Sequence, residues 1–236
     1  MSTVRSIPAR RDSRAPDGMG DGAACSFALE HHNQESQLTK KIGIVYYTQG
    51  GSTGLLAEAV ARGIRSEGVE AELHLIRGDQ IQEGRWKDDA MLEALTKIDG
   101  IVFGAPTFMG GAAAQFKAFA DATSGIWYSR KWVGKVGGGF TISGSPSGDK
   151  SMTLLSFATL GAQHGLLWAN WNELPRQTDG TNRLGSSLAL MAQNTGAMGA
   201  PPSLDETDRI SGEKYGSYLA RVVLRLSPIP AATAVP

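Results

Sequence analysis

The sequence predicts one α/β domain: a doubly wound, five-stranded parallel sheet, order 2-1-3-4-5, with helices on both faces. Three observations predict it. Apolar runs alternate with amphipathic segments through the middle of the chain, as in parallel strands joined by helices. A turn rich in glycine and hydroxyls, Thr48 to Thr53, follows the first apolar run and leads straight into a helical pattern. The 236 residues, 41% of them hydrophobic, fill one such core but not two.

The elements follow in order. Ile42 to Tyr47 reads as strand one, and Thr53 to Ser66 as a helix with Leu56, Val60 and Ile64 on one face, stopped by Gly68. Alternating Ala71, Leu73 and Leu75 indicate strand two. Lys87 to Lys97 reads as a short helix with Met91, Leu92 and Leu95 inward, and Ile101 to Phe103 as strand three. A helix over Ala113 to Ala122 leads to strand four, Val136 to Ile142. Met152 to Ala162 is the next helix, Leu166 to Ala169 the fifth strand, and Ser203 to Leu226 a closing helical segment.

The domain spans 40–226. The preceding 1–39, rich in Arg, Ser, Gly and Asp, reads as a disordered extension, and the proline-rich 227–236 as a disordered tail. His31 and His32 fall in the extension and read as solvated, so no metal site is expected. Lysine plus arginine and aspartate plus glutamate each total 23, a balance that advertises neither nucleic acid nor an anionic membrane. The lone Cys25 rules out an intramolecular disulfide framework and fits a reducing cytoplasm. No stretch approaches the roughly 18 apolar residues of a membrane span, and the N-terminal stretch lacks the apolar core of a secretory signal.

In a doubly wound sheet, ligands bind at the carboxyl ends of the strands beside the switch in strand order. The loops after strands one, three and four therefore carry the chemistry. In Thr48-Gln49-Gly50-Gly51-Ser52-Thr53, backbone N–H groups and hydroxyls can converge on a phosphate at a helix N-terminus without any lysine or arginine. The same turn also reads as a plain strand-to-helix connection capped by Ser52 or Thr53. It lacks the Gly-Lys-Ser/Thr ending of nucleoside triphosphate loops and the Gly-x-Gly-x-x-Gly dinucleotide fingerprint, which favours FMN.

The second loop, Pro106, Thr107, Phe108, Met109 and Gly110, offers amides for the polar edge of a flavin and an aromatic to cover its ring, unless Phe108 is core. The third, Ile142, Ser143, Gly144, Ser145, Pro146, Ser147 and Gly148, suits ribityl oxygens or the ring edge. Pro146 stands where a Gly-x-Ser-x-Gly hydrolase elbow needs serine, which argues against that chemistry.

With Phe116-Lys117-Ala118-Phe119, Gly125-Ile126-Trp127 and Gln163-His164-Gly165, these loops resemble the flavodoxin-like NAD(P)H-dependent oxidoreductases, nearest the WrbA-type quinone oxidoreductases, over about Lys41 to Leu226. The resemblance implies a flavodoxin-like fold and an FMN-dependent oxidoreductase that takes hydride from NADH or NADPH and reduces a quinone-like acceptor. It implies a homodimer or homotetramer, places Trp127 on the substrate side and sets His164 beside the flavin as a candidate catalytic group. The chain departs from the pattern in carrying Gly50-Gly51 where WrbA-type proteins carry Tyr-Gly, and in a short connection before strand three. The other reading is a flavodoxin-type electron carrier between partner proteins. His164 and Trp127 also read as packed structural residues, Trp86, Trp132, Trp168 and Trp171 as core or interface, and Arg130, Lys131 and Arg183 as cations within reach of a nucleotide phosphate or simply solvated.

Overall fold

A computed structural model describes residues 39–226 apart from Arg176 and Met198. The stretches expected to be disordered, with His31 and His32, lie outside the described residues apart from Thr39. In chain order the elements are β1 (Lys41–Tyr46), α1 (Ser52–Ser66), β2 (Glu70–Leu75), a 3-10 turn (Gly78–Gln80), β3 (Ile81–Gln82), β4 (Arg85–Trp86) and α2 (Asp89–Thr96). There follow β5 (Gly100–Phe108), β6 (Gly111–Ala112), α3 (Ala114–Ala122), α4 (Ser124–Tyr128) and β7 (Val136–Ser143). Last come α5 (Lys150–His164), β8 (Leu167–Trp168), β9 (Leu190–Gln193) and α6 (Glu206–Arg225).

The main sheet runs β2-β1-β5-β7-β8, all parallel, which is the expected order 2-1-3-4-5. The fifth position is filled twice. β8 pairs with the start of β7 (Val136 with Leu167), and β9 with its end (Phe140 with Leu190 through Ser143 with Gln193). The expected fifth strand, Leu166 to Ala169, captures only the first half.

Strand three is also longer than its apolar run, because pairing with β7 continues through Ala105 with Thr141 and Pro106 with Ile142. Past Pro106 the chain folds back as a hairpin, pairing Thr107 with Ala112 and Phe108 with Gly111. Met109 and Gly110 form its two-residue turn, both left-handed, with φ of 48° and 78°.

The helices cover both faces with aliphatic and aromatic side chains. Phe103, Phe116 and Phe157 bring α3 and α5 onto β5, the Phe116 and Phe157 ring centroids 4.5 Å apart. On the other face α1 and α6 meet backbone to backbone. A Cβ on Gly63 would stand 1.9 Å from the Glu213 carbonyl oxygen, and one on Gly216 2.0 Å from that of Val60. No side chain fits either position, so the two helices are locked in one axial register.

Gly216→Ala must therefore push α6 off α1. Overpacking of this kind costs about 1–3 kcal/mol or more, and the urea midpoint of unfolding should fall accordingly. Gly125→Ala on α4, whose added Cβ meets nothing within 4 Å, should leave the midpoint unchanged or raise it.

Candidate cofactor site

β1, β5 and β7 end at one edge of the sheet, and their loops enclose a cleft of about 180 Å³. Its walls are Thr48, Gln49, Gly50, Ser52 and Thr53 from the first loop and Pro106, Thr107 and Phe108 from the second. Ile142, Ser143 and Gly144 come from the third, and Asn194 completes it. All three loops singled out in the sequence thus converge. Ser145, Pro146, Ser147 and Gly148 do not line the cleft, and Met109 and Gly110 lie at grooves beside it.

The first loop does not end in a side-chain cap. Ser52 and Thr53 are the first residues of α1 rather than its caps; the cap is Gly51, at φ 91°, with no side-chain hydrogen bond into the helix. The Gly51 N–H is held by Thr48 Oγ1 at 2.9 Å. The first N–H groups of a helix have no intrahelical acceptor, and α1 carries no acidic residue in its first turn to offset their partial positive charge. Uncapped donors facing a cleft without lysine or arginine fit a phosphate monoester held by neutral groups.

The nearest cations are engaged in the walls. Lys150, buried at the start of α5, donates from Nζ to Ser143 Oγ (2.9 Å) and to the carbonyls of Ser145 (2.6 Å) and Pro146 (3.0 Å), so it braces the third loop from below. Its burial holds its pKa below the usual lysine range. Arg183 makes a bidentate pair with buried Asp208 at 2.9 and 2.7 Å, which takes it out of contention for a nucleotide phosphate. Asp208 also accepts from the Gln193 N–H at 2.8 Å, and Gln193 Nε2 donates to the Gly144 carbonyl at 2.9 Å. The second loop rests on a buried hydroxyl chain, with Thr107 Oγ1 2.8 Å from both Thr141 Oγ1 and Thr153 Oγ1.

The cleft is smaller than the roughly 300–1,000 Å³ of pockets that enclose a drug-sized ligand. Its enclosed part is sized for a phosphorylated tail. At Gln49 and Phe108 it opens into a broader groove of about 800 Å³ between the β3–β4 hairpin and α3. Phe108 is half-exposed at the junction and Met109 wholly exposed, which suits a planar ring lying on the hairpin. The alternative reading of Phe108 as core does not hold.

His164 stands away from the cleft of its own chain. It ends α5, just before β8, which pairs with the first residues of β7, whereas the cleft lies beyond the last residues of that eight-residue strand. At ~3.3 Å per residue the two ends stand ~20 Å apart. The ring is 3% exposed and packs on Trp132 at 4.3 Å. Thr123 gives its only hydroxyl proton to the Ala120 carbonyl (2.7 Å) and so accepts from His164 Nε2–H at 2.8 Å. Nδ1 then carries the lone pair, buried without a partner among the described residues. Burial, aided by Arg130, pushes the pKa down to about 4. Trp127, on α4, is exposed and lines no part of the cleft. Sequence reasoning missed Lys150, which folds back on the loop just before it, and Asn194, which is held to Ser143 far back along the chain.

Parallel topology, strand-end cleft and phosphate cradle define an FMN-binding protein of the flavodoxin type. Residues 41–170 match the NADPH-dependent FMN reductase family, and the chain belongs to that family. It is 35% identical to a flavodoxin, FldP, of Pseudomonas aeruginosa, over 77% of this chain and 96% of the relative. It is 35% identical to an NAD(P)H dehydrogenase (quinone) of Chromohalobacter salexigens, over 53% of this chain and 68% of the relative. A WrbA-like flavodoxin from Agrobacterium tumefaciens superposes with a TM-score of 0.61 at 37% identity, covering 79% of this chain and 99% of that one. The protein is an FMN-dependent oxidoreductase with NAD(P)H as donor. Among the described residues no helix is long and apolar enough to cross a membrane, and no cluster of metal-ligating side chains is present.

Replacing Ser52 and Thr53 together by alanine should weaken FMN binding, since hydrogen bonds to a charged group contribute about 1.5–3 kcal/mol each. Titration of FMN into the apoprotein reads the loss, and an unchanged affinity would remove these hydroxyls from the site.

His164 yields a prediction of its own. Its folded pKa of about 4 lies below the usual 6.5, so the stability tied to the neutral ring is complete above pH 6.5 and is lost as pH falls towards 4. Unfolding free energy followed across that window should fall in the native protein and fall less in His164→Phe, which cannot titrate.

Proposed function

We propose that the protein takes hydride from NADH or NADPH onto FMN and passes two electrons to a quinone-like acceptor. The open groove beside Phe108 carries this reading, because it leaves room for a second flat molecule next to the ring loop. The protein's part is to bind and to expose: α1 holds the phosphate, the Phe108–Gly111 hairpin supports the ring, and Lys150 fixes the loop at its edge. FMN supplies the two-electron chemistry. No protein nucleophile is required, and the buried position of His164 supplies no acid to the acceptor.

A relative named NAD(P)H dehydrogenase (quinone) supports the same reading. The flavodoxin among the relatives favours the second one, a carrier that passes electrons between proteins. Such a carrier gains from strong charge steering, and 23 basic against 23 acidic residues give this chain none overall. The lone Cys25 accords with the reducing cytoplasm. A homodimer or homotetramer accords with the apolar side chains exposed on α4 and α5, Trp127, Tyr128, Met152 and Leu155.

Anaerobic mixing with NADH or NADPH should bleach the flavin absorbance without any protein partner, and a simple quinone should restore it. A flavin that stays oxidised with either nucleotide, yet takes electrons from a separate reductase, would establish the carrier instead.

A further inference from the structure

The segment that follows β9 runs back across the mouth of the cleft. Its first residue, Asn194, is a lining residue contributed by none of the three strand-end loops. The Asn194 N–H donates to the Ser143 carbonyl at 2.9 Å, which fixes it beside the third loop. Further on, Pro202 lies against Gly51, where an added Cβ would come within 2.7 Å of it. The Ser203 N–H donates to Ser52 Oγ at 3.2 Å. The strap therefore joins the third loop to the first.

The Asn194 amide has one possible orientation. Gly196 N–H, which can only donate, reaches its side chain at 3.0 Å, so the atom there is the carbonyl Oδ1. Ser203 Oγ adds a second hydrogen bond to the same oxygen at 3.0 Å. With Oδ1 held by the strap, the two Nδ2 protons have no acceptor among the described residues, and the side chain is part of the cleft wall. The Ser203 N–H likewise occupies a lone pair of Ser52 Oγ and leaves the hydroxyl proton for the cleft.

We infer that Asn194 is a further FMN-binding residue, its Nδ2 donating to an oxygen of the phosphoribityl tail while its Oδ1 locks the strap that orients Ser52. The cleft needs such donors because it has no cation of its own. Asn194 stands between the phosphate loop and the third loop, on the path of the tail rather than of the ring.

Asn194→Asp separates the two halves of the amide. An aspartate oxygen keeps both strap hydrogen bonds, from Gly196 N–H and Ser203 Oγ, while it removes the donor and adds a negative charge, so affinities are compared in about 1 M salt, which screens the charge and leaves the lost donor to be read. Apoprotein should therefore unfold at the same urea concentration as the native chain, while the FMN dissociation constant rises about tenfold or more. Lumiflavin, the ring without its tail, should bind both proteins equally. An FMN affinity within twofold of native would overturn the inference, as would equal weakening of FMN and lumiflavin. A native apoprotein that binds no FMN would overturn the cofactor assignment and this inference together. Tight native binding with an indifferent variant would overturn the inference alone.

Discussion

The first turn of α1 presents donors that the protein leaves unsatisfied, and the arrangement of the site follows from that. An uncapped helix start facing a cleft offers its free N–H groups and partial positive charge to an anion. The fold keeps that turn in place from the far end of the helix. Gly63 and Gly216 let α1 and α6 touch backbone to backbone, so α1 cannot slide along its axis without collision. Gly51, in left-handed backbone under Pro202, fixes the approach from β1. A phosphate position is thus determined partly by packing several turns away.

Charge and neutral donors have separate tasks in this site. Lys150 binds its three oxygens in the third loop, and Arg183 is consumed by Asp208, itself tied to β9 through the Gln193 N–H. Both cations stiffen walls. The cleft itself is lined by amides, hydroxyls and apolar groups. Backbone donors held by a rigid helix and sheet need no reorganisation when a ligand arrives, whereas a long lysine side chain loses rotamer freedom on binding.

The parts of the fold that carry a period were legible. β1, α1, β7 and α6 fall within a few residues of where their apolar spacing puts them, and the phosphate loop is recognisable because glycines and hydroxyls sit between a strand run and a helix run. β9 was not legible: Leu190–Gln193 is too short to show alternation, and 21 residues part it from β8, the other half of the same sheet position. Asn194 was lost with it. The hairpin at Met109 escaped notice since methionine is not a residue that left-handed turns favour. The burial of His164 was hidden for another reason. Its local motif pointed to the flavin, but its surroundings are made by Thr123 and Trp132, and no window around residue 164 contains them.

That left-handed Met109, wholly exposed at the tip of the ring-supporting hairpin, bears on how relatives of one binding site come to differ in use. A non-glycine residue at positive φ persists only where its surroundings over-determine it, and such strain concentrates at ligand clamps. Here the paired strands β5 and β6 do so, and they hold a surface with grooves on both sides, towards the β3–β4 hairpin and towards α5. The tail-binding cleft lies on the opposite side of Phe108 and shares little with either groove. Substitutions along the grooves, away from the shared Gln49 and Phe108, can therefore change the surface beside the hairpin without altering the cleft walls. On the function proposed above, a flavodoxin and a quinone dehydrogenase can both be relatives of this chain if the cleft sets the cofactor and the grooves beside it set the electron's destination.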